Sequence, residues 1–177
     1  MKKVLYFLVF LCLLGGGKAF ADFKIIHDKK YGSISNKFFI YLNLKDEWKK
    51  TAKLNLLRVF ESYQRTIDSD AALQREGNEF QTVRDAMVRK VGQGLMDKSV
   101  VIKYDSDKRA EIKQQRDDKV HAILAEIQRT VSDYAVKNQI RAVVNDQMPN
   151  LKGDEVDVTN EILTILNNHY ALLVSGN

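Results

Sequence analysis

Residues 45–91 read KDEWKKTAKLNLLRVFESYQRTIDSDAALQREGNEFQTVRDAMVRKV, and the spacing of their apolar positions decides the fold. Trp48, Ala52, Leu56, Val59 or Phe60, Tyr63 and Ile67 recur three and four apart, which puts them on one stripe of a helix. After a slip the stripe resumes as Leu73, Glu76, Phe80, Val83, Met87 and Val91, with one polar member. The stretch has one glycine and no proline, so it predicts a single helix of about 70 Å at 1.5 Å per residue. No small globule buries such a length on every side. A long helix with a narrow apolar stripe needs a partner helix, in a coiled coil or a hairpin.

Downstream, Gly92-Gln93-Gly94 interrupts the pattern and offers a turn. Leu95 to Asn138 then forms the return arm, 44 residues against 47 going out, and Val120, Ile123 or Leu124, Ile127, Val131 and Tyr134 carry its stripe. Within it, Val100, Val101, Ile102 and Tyr104 favour strand locally and Asp105-Ser106-Asp107 favours a turn, so the tip falls either at Gly92–Gly94 or at Asp105–Asp107.

Beyond the arm, Ile140-Arg-Ala-Val-Val-Asn-Asp reads as a strand that ends in turn formers, and Pro149 to Glu155 as a loop. Asp157 or Thr159 caps a short helix whose Ile162, Leu163, Ile165 and Leu166 face a core. On the other side, Phe23 to His27 reads as a short strand. Residues 29–44 fit either a second strand or the first turn of a helix. The fold class expected is α+β, predominantly α: a small base from residues 22–44 and 139–177, with a long antiparallel helical hairpin, 45–138, inserted between them.

The chain opens with a secretory leader: Lys2 and Lys3, the eleven apolar residues Val4 to Leu14, and Ala19-Phe20-Ala21 at a cleavage point after Ala21. Eleven residues fall short of the roughly 18 to 20 that span a bilayer. Cleavage removes Lys2, Lys3 and Lys18 from the 28 basic residues, leaving 25 against 23 acidic ones, a net charge of +2 in place of +5. It also removes Cys12, the only cysteine, so the mature chain has no disulfide framework, thiol nucleophile or thiolate metal site. A nearly balanced charge on an exported chain argues against a nucleic-acid partner.

A sequence of features near the C-terminus carries a resemblance. Ile127 and Val131 lead into Tyr134-Ala-Val-Lys-Asn-Gln-Ile140, then Ala142-Val-Val-Asn-Asp146, a loop, Asp157-Val158-Thr159, Glu161-Ile162-Leu163 and Leu166-Asn167. This ending, a helix into a hydrophobic strand and an Asp-hydrophobic-Thr turn before a last helix, resembles the Skp or OmpH-like family of periplasmic chaperones. It spans about residues 120 to 168, and Lys24-Ile25-Ile26 is similar to the family's first strand. The chain departs from the pattern after His27, at Lys29-Lys-Tyr-Gly-Ser-Ile-Ser, and in the β-branched run from Ser99 to Tyr104.

The resemblance implies a periplasmic homotrimer whose bases associate through strands, with Ile25, Ile26, Ile140, Val143, Val144, Ile162 and Leu166 in the oligomerisation base. It implies hairpins that enclose unfolded outer-membrane proteins without an energy source. A base of roughly 60 residues is marginal alone, and sharing strands would enlarge its core. Phe80, Met87, Leu95, Met96, Val101 and Tyr104 are the candidate client-gripping residues; the competing and favoured account makes them the seam between two helices. Arg84, Arg89, Lys90, Lys98, Lys103, Lys108, Arg109, Lys113 and Arg116 exceed the acids of residues 84–116 by four. They are either an electrostatic contact for acidic clients, lipopolysaccharide or an anionic membrane surface, or an ordinary solvated helix face.

Nothing in the sequence assembles a catalytic constellation. His27, His121 and His169 lack metal-ligand spacing, the adjacent Asp117 and Asp118 point apart on a helix, and no phosphate-cradling glycine loop is present. The expectation is therefore a binding protein without cofactor or metal: a holdase for unfolded outer-membrane proteins, with a structural coiled-coil adaptor of the cell envelope as the alternative and a hydrolase with an unrecognised site as a distant third.

Overall fold

The computed structural model describes residues 25–28, 32–35, 39–43, 48, 50–147 and 155–176. The expected leader, residues 1–21, and most of the loop expected at Pro149–Glu155 lie outside them. Among the described residues six strands and four helices follow one another: β1 (Ile25–Asp28), β2 (Gly32–Ser35), β3 (Phe39–Leu42), β4 (Lys50–Leu54), α1 (Leu56–Ser62), α2 (Gln64–Gly92), α3 (Lys98–Lys137), β5 (Ile140–Asn145), β6 (Val156–Asp157) and α4 (Thr159–Ser175). The protein is α+β and mostly helical. It divides into two compact units, one of residues up to Tyr63 and from Ala125 on, the other Gln64–Leu124.

In the first unit β1 and β2 form an antiparallel pair, and a four-stranded mixed sheet runs in the order β3-β5-β4-β6. Of residues 29–44, which sequence left open between strand and helix, Gly32–Ser35 and Phe39–Leu42 are strands. β5 is the centre of the sheet: it pairs antiparallel with β3 and parallel with β4, and of its six residues only Arg141 is exposed. A run buried on both faces suits its β-branched Val143 and Val144. The parallel pairing of β4 with β5 requires a crossover, which here comprises α1, α2 and α3.

The single helix expected from Lys45 to Val91 does not form; within it Lys50–Leu54 is β4 and Leu56–Ser62 is α1, and both belong to the sheet-bearing unit. Ala52 and Leu56, four apart, fit a helix, but Ala52 and Leu54, two apart, fit a strand equally well. The sheet decides, because β5 binds β4 along its length and buries Ala52 and Leu54 to 1% and 0% exposure. Asn55 then starts α1: its Oδ1 accepts the Arg58 amide at 2.7 Å, and its own N–H donates to Thr159 Oγ1 at 3.0 Å. Val59, Phe60 and Tyr63 of this segment, Ile127, Val131 and Ala135 of α3, Val143 of β5, and Ile162 and Leu166 of α4 are all buried to 1% or less.

On α4, Thr159 is the first helical residue and Val158 occupies the cap position without a side-chain bond. Asp157 does the local work by accepting the Thr159 amide at 2.9 Å. Ile165, expected to face the core, is 42% exposed. Ile140, Val143, Val144, Ile162 and Leu166, expected in an oligomerisation base, are buried within their own chain and belong to its core. For Ile25 and Ile26 only the backbone position in β1 is described.

In the second unit the two helices are joined at the first of the two tips considered. Gly94 takes φ 71°, its N–H donates to Val91 O at 3.0 Å, and the Leu95 N–H reaches Lys90 O at 2.9 Å, the paired bonds of a glycine-terminated helix. Asp97 then opens α3 by accepting the Ser99 amide at 2.7 Å, and the Ser99 hydroxyl together with that amide holds its carboxyl below the usual range. Asp105–Asp107, the other candidate tip, is interior to α3, and so is the β-branched run Val100 to Ile102. Tertiary pairing has overridden the local strand preference there.

Candidate binding surface

The pairing of α2 with α3 inside the Gln64–Leu124 unit is fixed by a set of cross-helix contacts. Lys108 Nζ donates to Glu76 Oε1 at 2.7 Å and to Glu111 Oε1 at 2.9 Å. Arg84 Nε lies 2.8 Å from Asp105 Oδ1. The Phe80 and Tyr104 rings stack tilted, with centroids 5.8 Å apart. Residues 76, 80 and 84 meet 108, 104 and 105, so the two helices run in opposite directions. Asp105 also accepts Arg109 Nε at 2.7 Å, and the Arg109 guanidinium stands 5.6 Å from the Phe80 ring centroid.

These contacts bias the ionisations. The Lys108 ammonium holds the Glu76 carboxyl below its ordinary value, and the Arg109 guanidinium, with Arg84 behind it, does the same to Asp105. Glu76 and Glu111 in turn raise Lys108, and Asp105 raises Arg109. Three of the nine cations singled out in the sequence, Arg84, Lys108 and Arg109, are therefore tied within the unit. The other six, Arg89, Lys90, Lys98, Lys103, Lys113 and Arg116, are exposed and have no ion pair among the described residues.

Two depressions of about 570 Å³ each lie on the pair. One surrounds the Glu76–Lys108 bridge and is lined by Arg75, Glu79, Phe80, Val83 and Tyr104 among others. The second is apolar. It lies next to the turn, with Val88 and Val91 of α2 facing Val101 and Ile102 of α3, Lys98 and Ser106 beside them, and Arg84 with Asp105 at its margin. Val88 is 46% and Ile102 61% exposed, so this groove is open to water.

The six residues expected to grip a client divide. Phe80 and Val101 are buried between the helices at 7% and 8% exposure, whereas Leu95 is exposed at 73% in the turn; Met87, Met96 and Tyr104 are half-buried. Only Val101 lines the apolar groove. Sequence reasoning missed Val88 and Ile102, although a signal existed: positions 84, 88 and 91, and 98, 101, 102 and 105, keep helical spacing, which reading the β-branched run as strand concealed.

In the other unit, His169 Nδ1 lies 3.3 Å from Glu126 Oε1. Among the described residues no helix is long and apolar enough to cross a membrane, and no three metal-ligating side chains of His, Cys, Asp or Glu gather. Compared with known proteins, the chain matches no family model and no curated protein.

Proposed function

We propose that this chain is an exported holdase chaperone that needs no energy source and holds unfolded outer-membrane proteins in the periplasm until they reach the bilayer. In this reading Met1–Ala21 directs export and is cleaved, the α2–α3 pair is an arm, and the sheet with α1 and α4 is the base of a homotrimer whose arms surround the client. Neither catalysis nor a cofactor enters.

The observation that carries the reading is the apolar groove beside the turn. Two helices with so few apolar residues ordinarily spend them all on their own seam. Here Val88 and Ile102 are largely exposed next to Val91 and Val101, with Lys98, itself exposed and without an ion pair among the described residues, beside them. Contiguous exposed apolar surface on an otherwise charged element marks a place where something else binds. An unfolded barrel strand suits it, since such chains carry alternating apolar residues and unpaired edges that aggregate unless covered. The mature protein added to an unfolded outer-membrane protein on dilution from urea should delay the rise in light scattering. No delay at any ratio would sink the proposal.

The cross-helix bridges favour the adaptor as a second reading, because Glu76–Lys108 and Arg84–Asp105 lock the pair in one register, as a spacer requires. It predicts one folded partner and no protection of unfolded chains, so the same assay separates the two.

A further inference from the structure

We propose that the groove between Val88 and Ile102 takes a short extended segment of unfolded polypeptide in which apolar side chains stand beside a carboxylate, with the carboxylate meeting Lys98. The inference rests on the holdase reading and deepens it by naming what the site selects.

Three features of the groove point to this occupant. Its apolar residues are all β-branched, Val88 and Val91 on one helix and Val101 and Ile102 on the other, so their χ1 angles are nearly fixed and the cleft is formed before anything binds. Its two ends differ in charge. At one, Arg84 is neutralised by Asp105, 2.8 Å away, which Arg109 also engages. At the other, Lys98 is exposed and has no ion pair among the described residues. An unfilled cation beside an apolar floor selects a carboxylate and disfavours an ammonium group. Arg89, Lys90 and Lys103, exposed nearby without ion pairs, strengthen the same bias.

Other occupants fit less well. A second copy docking the same face about a two-fold axis would set the exposed cations of one copy, Arg89, Lys90, Lys98 and Lys103, against the same cations of the other. A bilayer of anionic lipid would meet the whole end of the unit, where Asp85, Asp97 and Asp107 are exposed and would oppose it, whereas a peptide confined to the cleft touches none of them.

The test uses the mature chain and three labelled peptides of alternating valine and serine that differ at one central position, aspartate, asparagine or lysine. Affinity read by fluorescence anisotropy should fall in that order, by about threefold per step, the size that one exposed ion pair supplies. Lys98→Glu should invert the order. Ile102→Ser combined with Val88→Ser should weaken all three peptides by about tenfold; both side chains are substantially exposed, and an unchanged far-UV spectrum and melting point show that the fold persists.

Equal affinities, indifference to Lys98→Glu, or unchanged binding in the double serine variant would each overturn the assignment. So would self-association of the parent chain, or binding to vesicles of anionic phospholipid, that the serine variant abolishes while peptide affinity stays the same. The aggregation assay runs separately. Peptide selection without protection of an unfolded barrel removes the holdase and keeps the groove. Protection that survives in the serine variant, with peptide selection absent, removes the groove and keeps the holdase.

Discussion

Gln139 is the one described residue other than glycine with a positive φ, 55°, and it sits where α3 ends and β5 begins. Its N–H still reaches Val136 O at 3.3 Å, so it terminates the helix in the left-handed conformation that glycine normally supplies. A side chain there costs about 1 kcal/mol through the clash of Cβ with the following carbonyl. Gln139→Gly is therefore expected to raise the unfolding free energy by about 0.5 kcal/mol or a little more, after the added freedom of glycine in the unfolded chain is subtracted. Urea denaturation checks it, and a loss of stability would mean that the Gln139 side chain makes a contact outweighing the strain.

At the scale of elements, α1 and α4 are tied where both begin. The Asn55 N–H donates to Thr159 Oγ1, Arg58 Nη2 donates to Asn160 Oδ1 at 2.9 Å, and Thr159 is 1% exposed. Thr159→Val keeps the shape and deletes the acceptor, leaving a part-buried N–H unpaired at a cost of about 1–3 kcal/mol. Thr159→Ser, which keeps the hydroxyl, should retain more stability than Thr159→Val; a valine variant as stable as the parent would refute the tie. Such links show where the sequence stops being legible. β5 and α4 can be read from local spacing because their apolar runs carry one meaning, whereas the tip stays open between Gly92–Gly94 and Asp105–Asp107 because both offer turn formers. β4 cannot, since Lys50–Leu54 satisfies both periods and the choice is made by a strand some ninety residues later. Of the candidate surface, the excess of cations is plain in the sequence, but which of them are bound up depends on 76 meeting 108 and 84 meeting 105 across the helix pair.

For the whole molecule, four carboxyls make stability a function of pH. Glu76 is held down by Lys108, Asp105 by Arg109, and Asp97 and Asp157 chiefly by the hydroxyl and amide of Ser99 and of Thr159, against ordinary values of 4.5 for Glu and 3.8 for Asp. Because the folded chain binds these protons less readily than the unfolded one, their contribution is complete above those ordinary values and drains away as pH falls through the depressed ones. Urea midpoints should thus hold steady from neutrality down to the ordinary carboxylate range and decline below it. Glu76→Gln should start lower at neutral pH and decline less. A parent chain whose midpoint stays flat into strong acid would show that these contacts do not persist in solution.

The parallel neighbours β4 and β5 also set a clock. Leu54 and Ile140 enclose 85 residues, and closing a loop of that length carries a length-dependent entropy of about 4 kcal/mol if the intervening chain is random. Helices form in microseconds or less, while distant strands must wait for the ends to meet. The turns of α2 and α3 are thus expected to precede the sheet, and far-UV ellipticity should recover ahead of the fluorescence of Trp48, which lies just before β4; simultaneous recovery would contradict that order. During synthesis β4 emerges long before its neighbour and stands with bare edges until Asn145 has been added. A protein that we propose keeps other chains from aggregating therefore passes through an interval in which it faces the same hazard itself.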